Sequence, residues 1–133
     1  MIEDVSINSA DLICPIFIVE GQNIKEPIES MPGQFRYSID NSIEFCNELI
    51  QNKINSIILF GIPNEKDETG KISCSSNSIV PKAIRELKKT FKDKLFIIAD
   101  VCNCEYTTHG HCGTIVNNDV DNDLTLETLS SQS

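Results

Sequence analysis

The sequence contains few basic residues, and this scarcity excludes several classes of partner. Its 11 lysines and arginines stand against 20 aspartates and glutamates, which gives the chain of 133 residues a formal net charge of -9. Nucleic acids and anionic membrane surfaces are bound through clustered Lys and Arg, so this balance argues against both as partners. The hydrophobic fraction of 40% is that of an ordinary soluble globular protein.

Long apolar segments are missing as well. No run of apolar residues is long enough to span a bilayer, and the opening MIEDVSINSA is too acidic and polar for a secretory signal. We therefore expect a cytoplasmic protein whose six cysteines meet a reducing environment, where metal binding or burial is expected in preference to disulfides. Cys14 and Cys46 are interpreted as core residues and Cys74 as a loop thiol.

Apolar runs and helical patterns alternate along the chain. The stretches 12–19, 54–62 and 94–101 are rich in Ile and other apolar residues and are predicted to be strands. Two segments with apolar residues at steps of three and four are predicted to be helices, capped by Asp40 and by Ser78. A third helix is predicted after the acidic and amide-rich residues 117–123.

This order of strand, helix, strand, helix, strand, loop and helix predicts an α/β fold with parallel strands. Each βα unit takes about 40 residues, so an eight-unit barrel would need about 320 and this chain supplies about three units. The chain is thus either a small open α/β sheet or part of a barrel. We favour a single domain over residues 1–133 that forms an incomplete (β/α)8 TIM barrel.

The stretch DVCNCEYTTHGHCG, residues 100–113, has the composition of a metal site. Asp100, Cys102 and Cys104 are spaced by two, and in an extended segment such side chains share one face. Gly110 permits a sharp return of the chain that would bring Cys112 back to them. Three thiolates can bind Zn²⁺ at about 2.3 Å each.

The spacing alone leaves three interpretations open. The stretch could be a cysteine-rich turn without metal, a closed structural site with His109 or His111 as fourth ligand, or a catalytic site with an open position. Its place after a predicted parallel strand favours the catalytic site, because reactive groups gather at the carboxyl ends of such strands. We interpret both histidines as hydrogen-bonding turn residues beside the site rather than as ligands.

Several motifs in this chain resemble one known family, and they occur in the family's order. Besides the cysteine loop, the similar stretches are PIFIVEG (15–21), EPIESMPGQFRYSID (26–40), LFGIPNEKDETG (59–70) and VDNDLTLETL (120–129). Together they cover nearly the whole chain from Leu12 onward. The family is porphobilinogen synthase, also called delta-aminolevulinic acid dehydratase.

The resemblance implies a (β/α)8 barrel enzyme of heme biosynthesis that condenses two molecules of 5-aminolevulinate into porphobilinogen with loss of water. It implies a catalytic Zn²⁺ held by Cys102, Cys104 and Cys112, and it places Asp100 in the active site. Asp100 would orient a substrate amine or relay a proton, or else only tie down the loop. The family also forms homo-octamers, and in its full-length members Mg²⁺ is a further candidate cofactor.

One part of the family's active site is absent from this sequence. The family forms Schiff bases through two lysines on later barrel strands, and such lysines are desolvated. None of the nine lysines here matches them, and the N-terminal arm of residues 1–11 is short for the family. We therefore expect the chain to be inactive alone, as the N-terminal part of the enzyme. The alternatives are a zinc-binding α/β module without turnover and an inert truncated remnant.

Overall fold

The structure is a computed structural model that describes residues 5–133, so the first four residues of the predicted N-terminal arm lie outside the described residues. The rest of that arm is exposed and ends in a short 3-10 turn at Ser9–Asp11. The strands are β1 (Ile13–Val19), β2 (Lys25–Pro27), β3 (Phe35–Tyr37), β4 (Ser56–Ile62), β5 (Phe96–Ala99), β6 (Thr114–Val116) and β7 (Asp119–Asp121), and the helices are α1 (Ile39–Gln51), α2 (Ile79–Phe91) and α3 (Asn122–Gln132).

A five-stranded sheet in the order β2-β3-β1-β4-β5 forms the centre of the fold. The strands β3, β1, β4 and β5 run parallel, and only the short edge strand β2 is antiparallel. The pairing of β1 with β4 extends from Ile13 opposite Ser56 to Val19 opposite Ile62. Because α1 and α2 connect successive parallel strands, the alternating order predicted from the sequence is confirmed.

Side chains alternate along the strands between a buried face and a half-buried one. The buried face packs against α1 and α2 and supplies the core, whose fully buried large residues include Ile16, Ile18, Ile57, Leu59 and Leu87. Cys46 is buried in this core and Cys14 packs against it, as predicted. On the opposite face, Phe17 and Phe60 stack with ring centroids 5.4 Å apart. A second apolar surface is what a strand needs when it lines a barrel.

The predicted start of α1 and both predicted ends of the third barrel strand were wrong. Ser38 rather than Asp40 occupies the N-cap position of α1, and it makes no side-chain capping hydrogen bond. The Asp40 carboxylate instead accepts a hydrogen bond from the backbone N–H of Asn23 (2.8 Å) and so holds the preceding loop. The third barrel strand covers only Phe96–Ala99 instead of 94–101, since a 3-10 turn precedes it and the chain turns again at Asn103. Ser78 occupies the N-cap position of α2 as predicted, but its hydroxyl donates to the carbonyl of Ser73 (3.5 Å) and does not cap the helix.

The third helix, α3, follows a small antiparallel hairpin of β6 and β7 that the sequence analysis did not predict. Asp121 caps α3 by accepting a hydrogen bond from the N–H of Leu124 (3.0 Å). Across residues 5–133, no helix has both the length and the apolar character needed to cross a bilayer.

Candidate metal centre

The cysteine loop begins at the carboxyl end of β5, where the chain leaves the sheet. The N–H groups of Tyr106 and Thr107 both donate to the carbonyl of Asn103, at 2.9 and 3.0 Å. This turn contains Cys104, so the extended segment that we assumed for residues 100–104 is not present. Cys102 and Cys104 approach each other because the backbone curls around Asn103, not because alternate residues of a strand share a face.

The three thiols of the loop lie together. The sulfur of Cys102 is 3.2 Å from that of Cys104 and 3.3 Å from that of Cys112, and all three lie within 4.8 Å of one another. Cys102 and Cys104 are half-buried and Cys112 is exposed, so the cluster lies at the surface of the molecule. Among residues 5–133, these three cysteines form the one group of His, Cys, Asp and Glu side chains arranged to hold an ion.

Cys112 is positioned by the β6–β7 hairpin. Asn117 and Asn118 both have positive φ, as a two-residue hairpin turn requires. Gly113 lies so close to this hairpin that an added Cβ would be 2.5 Å from Val120 Cγ1 and 2.9 Å from Thr125 Oγ1. The return of the chain also uses Gly110, whose φ of +73° agrees with the predicted sharp turn.

The donor set and its spacing fit a metal ion. An ion that binds sulfur at about 2.3 Å in tetrahedral geometry separates its ligands by about 3.8 Å, so shifts of a few tenths of an ångström would suffice here. Thiolates are ligands for Zn²⁺, Cu⁺ and iron–sulfur clusters rather than for Mg²⁺ or Ca²⁺. No fourth protein ligand joins the three sulfurs within the part of the chain that the structure describes.

The thiols of this cluster hold their protons more tightly than free cysteines do. Burial, with the adjoining thiols of Cys102 and Cys112, raises the pKa of Cys104 to about 12. The pKa of Cys112 is raised as well, chiefly because its sulfur is close to that of Cys102. Crowded thiols resist a second negative charge, whereas a cation would stabilise all three thiolates. Metal binding here must therefore release protons and weaken as the pH falls.

The two histidines of the loop make backbone contacts. His109 Nε2 donates to the carbonyl of Glu68 (3.0 Å), and its Nδ1 accepts from the N–H of His111 (3.1 Å). Both ring nitrogens of His109 are thus used by contacts to the backbone. The His111 ring lies beside the His109 ring, with centroids 5.6 Å apart. Neither histidine belongs to the thiol cluster.

Asp100 follows β5 directly, and its N–H donates to the carbonyl of Leu59 (3.3 Å). Asp100 lines a groove of about 360 Å³ together with Tyr106 and residues of α2. The three cysteines do not line this groove. Burial raises the pKa of the Tyr106 phenol to about 12, and the negative charges of Glu105 and Asp100 add to the effect.

Several residues that hold the cysteine loop escaped the sequence analysis. Gln132 at the end of α3 donates to the carbonyl of Cys102 (3.2 Å), and Thr125 Oγ1 accepts from the N–H of Thr114 (2.9 Å). Asp67, in the loop after β4, pairs with the cysteine loop through its backbone. The sequence carried a signal only for Asp67, since Asp-x-Thr-Gly is typical of a side-chain-stabilised turn.

Each of the nine lysines has an exposed side chain. A lysine that forms a Schiff base needs a desolvated pocket to keep its amine neutral and nucleophilic. These side chains lie in water instead, so none has the surroundings that the chemistry requires. That the chain carries no Schiff-base lysine stays a prediction.

Known proteins share both the sequence and the fold of this chain. The family model of delta-aminolevulinic acid dehydratase matches residues 1–133. Delta-aminolevulinic acid dehydratase of Helicobacter pylori is 47% identical over 133 residues, which are 99% of this chain and 41% of that protein. The enzyme of Ruminiclostridium josui is 40% identical over 96% of this chain and 62% of its own length.

A solved structure agrees with these sequence matches. The crystal structure of delta-aminolevulinic acid dehydratase from Toxoplasma gondii, in complex with the product porphobilinogen, superimposes with a TM-score of 0.94 at 29% identity. The superposition covers 98% of this chain and 38% of that one, as expected for an incomplete barrel. This chain, which spans about two fifths of the length of most of the relatives described, belongs to the delta-aminolevulinic acid dehydratase family.

Proposed function

We propose that this chain is the zinc-binding, N-terminal part of a porphobilinogen synthase, which condenses two molecules of 5-aminolevulinate with loss of water. The observation that carries the proposal is the approach of three thiols at the carboxyl end of a parallel barrel strand. Reactive groups of such barrels collect at that end. The similarity to family members along the whole chain supports the same function.

The residues that would hold the ion are Cys102, Cys104 and Cys112, and three protein ligands leave a tetrahedral ion one open position. Zinc bound in this way supplies Lewis acidity toward a carbonyl oxygen or a bound water. The soft sulfur ligands favour zinc over the hard Mg²⁺. We propose this site as catalytic rather than structural, because neither His109 nor His111 joins the three sulfurs as a fourth ligand.

Asp100 would act on the substrate from the end of β5. A carboxylate there can accept a hydrogen bond from a substrate amine or pass a proton between reacting atoms. Its proposed partners are the substrate's polar groups, while the phenol of Tyr106 forms part of the same groove. The exposed lysines supply no covalent partner, so we propose that turnover needs lysines from outside this chain.

Assembly and location follow the family in this proposal. The complete enzyme would be a homo-oligomer in the cytoplasm, with 5-aminolevulinate as its substrate and no nucleic acid or membrane as a partner. The competing proposal is a zinc-binding module without turnover. The exposure of every lysine favours that alternative for the chain in isolation.

A chimera tests the proposed function. The chain would replace the matching segment of the Helicobacter pylori enzyme, to which it is 47% identical. We expect the purified chimera to form porphobilinogen from 5-aminolevulinate. The same chimera with Asp100→Asn should keep its fold and its metal and lose at least about 100-fold in kcat, as expected when a group that handles protons is removed.

Controls separate the outcomes of this experiment. A chimera with Cys74→Ser should remain active, because Cys74 lies outside the thiol cluster. The isolated chain should yield no porphobilinogen. A chimera that assembles and binds zinc but makes no product would leave only the zinc-binding module as the function of this segment.

A further inference from the structure

The loop that follows β4, residues 63–72, supports the cysteine loop along its length, and we call it the brace loop. Its Asp67 pairs with the cysteine loop as a strand would, since the Asp67 N–H donates to the carbonyl of Tyr106 and the Thr108 N–H donates to the carbonyl of Asp67, both at 3.0 Å. Paired backbone bonds of this kind fix position and direction together. The brace loop therefore sets where residues 106–108 lie.

The Asp67 carboxylate makes the brace loop rigid. It accepts hydrogen bonds from the Thr69 N–H (2.6 Å), the Thr69 hydroxyl (2.8 Å), the Ile72 N–H (3.1 Å) and the Lys71 N–H (3.3 Å). Four donors on one carboxylate close the loop around it, as in other side-chain-stabilised turns. The brace loop is thus fixed in one conformation where it contacts the cysteine loop.

The brace loop also touches the residue between two of the cysteines. Gly70 has a φ of +70°, and a Cβ there would lie 3.3 Å from the side chain of Asn103. Asn103 is only 1% exposed and stands between Cys102 and Cys104. The contact limits how far the turn at Asn103 can open, and so how far the two sulfurs on either side of it can separate.

His109 joins the two loops at their far end. Its ring bridges the carbonyl of Glu68 in the brace loop and the N–H of His111, which is the residue before Cys112. Thr107 adds a second tie, because its hydroxyl donates to the carbonyl of His111 (2.9 Å). The brace loop is thus connected to the segment that carries the third thiol.

We propose that Asp67 and His109 are positioning residues of the metal site, which hold the three thiols at the spacing an ion needs without binding it themselves. The inference rests on the proposed metal site and deepens it. Residues that orient metal ligands from outside the ligand shell commonly change metal affinity by about 10–100-fold when they are removed. Loss of either residue lets the thiols move apart and leaves the set of ligand atoms unchanged.

The test measures zinc affinity by chelator competition and records the thiolate-to-cobalt absorption at saturating Co²⁺. The variants are Asp67→Ala, His109→Ala and His109→Gln, whose amide can replace the hydrogen bond to Glu68. We expect both alanine variants to bind zinc at least about 10-fold more weakly, with His109→Gln partly restored. At saturating Co²⁺, both alanine variants should keep the full thiolate-to-cobalt absorption. The ligand variant Cys112→Ser should absorb less, because it has lost one thiolate.

Asp40→Ala is the matched control. The Asp40 carboxylate also accepts a backbone hydrogen bond in a loop, from Asn23. That loop leads into β2, at the opposite edge of the sheet from β5 and the cysteine loop. Its loss should lower the melting temperature without changing zinc affinity. If Asp67→Ala and His109→Ala bind zinc as tightly as the wild type, or no more weakly than Asp40→Ala, the positioning role is wrong although the metal site stands. A wild-type chain that binds neither ion overturns the metal site itself.

Discussion

At the scale of single residues, the buried and the exposed cysteines differ in reactivity. Burial, with a small contribution from nearby Cys14, raises the pKa of Cys46 to about 12. Cys112, in contrast, is exposed at the surface end of the thiol cluster. The thiolate is the reactive form, so a buried thiol with a raised pKa is both hidden and uncharged near neutral pH.

This difference predicts an order of alkylation. In the folded, metal-free chain at pH 8, we expect iodoacetamide to modify Cys112 at least about 10-fold faster than Cys46, which should react only after unfolding. Peptide mass spectrometry over time measures both rates in one sample. Equal rates under native conditions would show that the core around Cys46 is not formed.

The acid sensitivity of the fold depends in part on Asp67. Partial burial would raise the pKa of its carboxyl, but hydrogen bonds from the side chain and backbone of Thr69 and from the backbone of Ile72 lower it on balance. A carboxyl with a lowered pKa stabilises the folded state above its unfolded value of about 3.9 and loses that contribution as the pH falls through the folded value.

We therefore predict that the free energy of unfolding of Asp67→Asn falls less steeply with decreasing pH than that of the wild type. Its melting temperature at pH 7 should fall by roughly 2–8 °C, which corresponds to the loss of about 1 kcal/mol. Between pH 5 and the acid transition, it should lose less further stability than the wild type. Urea unfolding followed by circular dichroism across this range measures the difference. Parallel curves for the two proteins would mean that the Asp67 carboxylate is not held in the fold as described.

Secondary-structure elements differ in how far the sequence reveals them. The long strands and both barrel helices were predictable, because a run of mostly apolar residues, or apolar residues spaced three and four apart, leaves a clear pattern. Strands β2, β3, β6 and β7 have three residues each, too few for a period to show. The consecutive asparagines at 117–118 were a hairpin signal that we took only as a helix-capping region.

The thiol cluster was predictable in its residues but not in its construction. Three cysteines in one loop identify a candidate donor set from composition and spacing alone. Their approach depends on the turn at Asn103 and on the contacts of Asp67 and Gln132, which come from distant parts of the sequence. Such long-range backbone contacts leave little trace in local patterns, so the extended arrangement that we assumed for Cys104 was wrong.

The hairpin offers a test at the scale of elements. Gly113→Ala places a methyl group against Val120 and Thr125, and overpacking of this kind costs about 1–3 kcal/mol. We predict a lower melting temperature together with weaker zinc binding, because Cys112 moves with the hairpin. Adding Val120→Ala should restore part of both. A Gly113→Ala chain with wild-type zinc affinity would contradict the role of the hairpin in positioning Cys112.

At the scale of the whole molecule, the main sheet formed by residues 5–133 has an unpaired edge at β5. Strand β5 pairs with β4 on one side, and on its other side no strand is present among residues 5–133. Phe96 on this strand is 64% exposed, and Val101 just beyond it is 43% exposed. Exposed apolar edge strands pair with other chains unless they are covered.

We predict that the isolated chain self-associates through this edge. Sedimentation velocity should show a mass that rises with concentration, and Phe96→Glu should shift the equilibrium toward monomer by about 10-fold or more in dissociation constant, since a charge on an edge strand opposes pairing. Val116→Glu, at an exposed apolar site away from the main sheet, is the control. Equal association of both variants would place the contact elsewhere.

Zinc stoichiometry of the whole chain tests the central claim most directly. The purified protein would be equilibrated with zinc under reducing conditions, freed of loosely bound ions, and analysed for metal per chain. We predict about one zinc per chain in the wild type and none in the variant with Cys102, Cys104 and Cys112 all changed to alanine. A wild-type chain without zinc, or a triple variant that retains it, would contradict a metal site built from these three thiols.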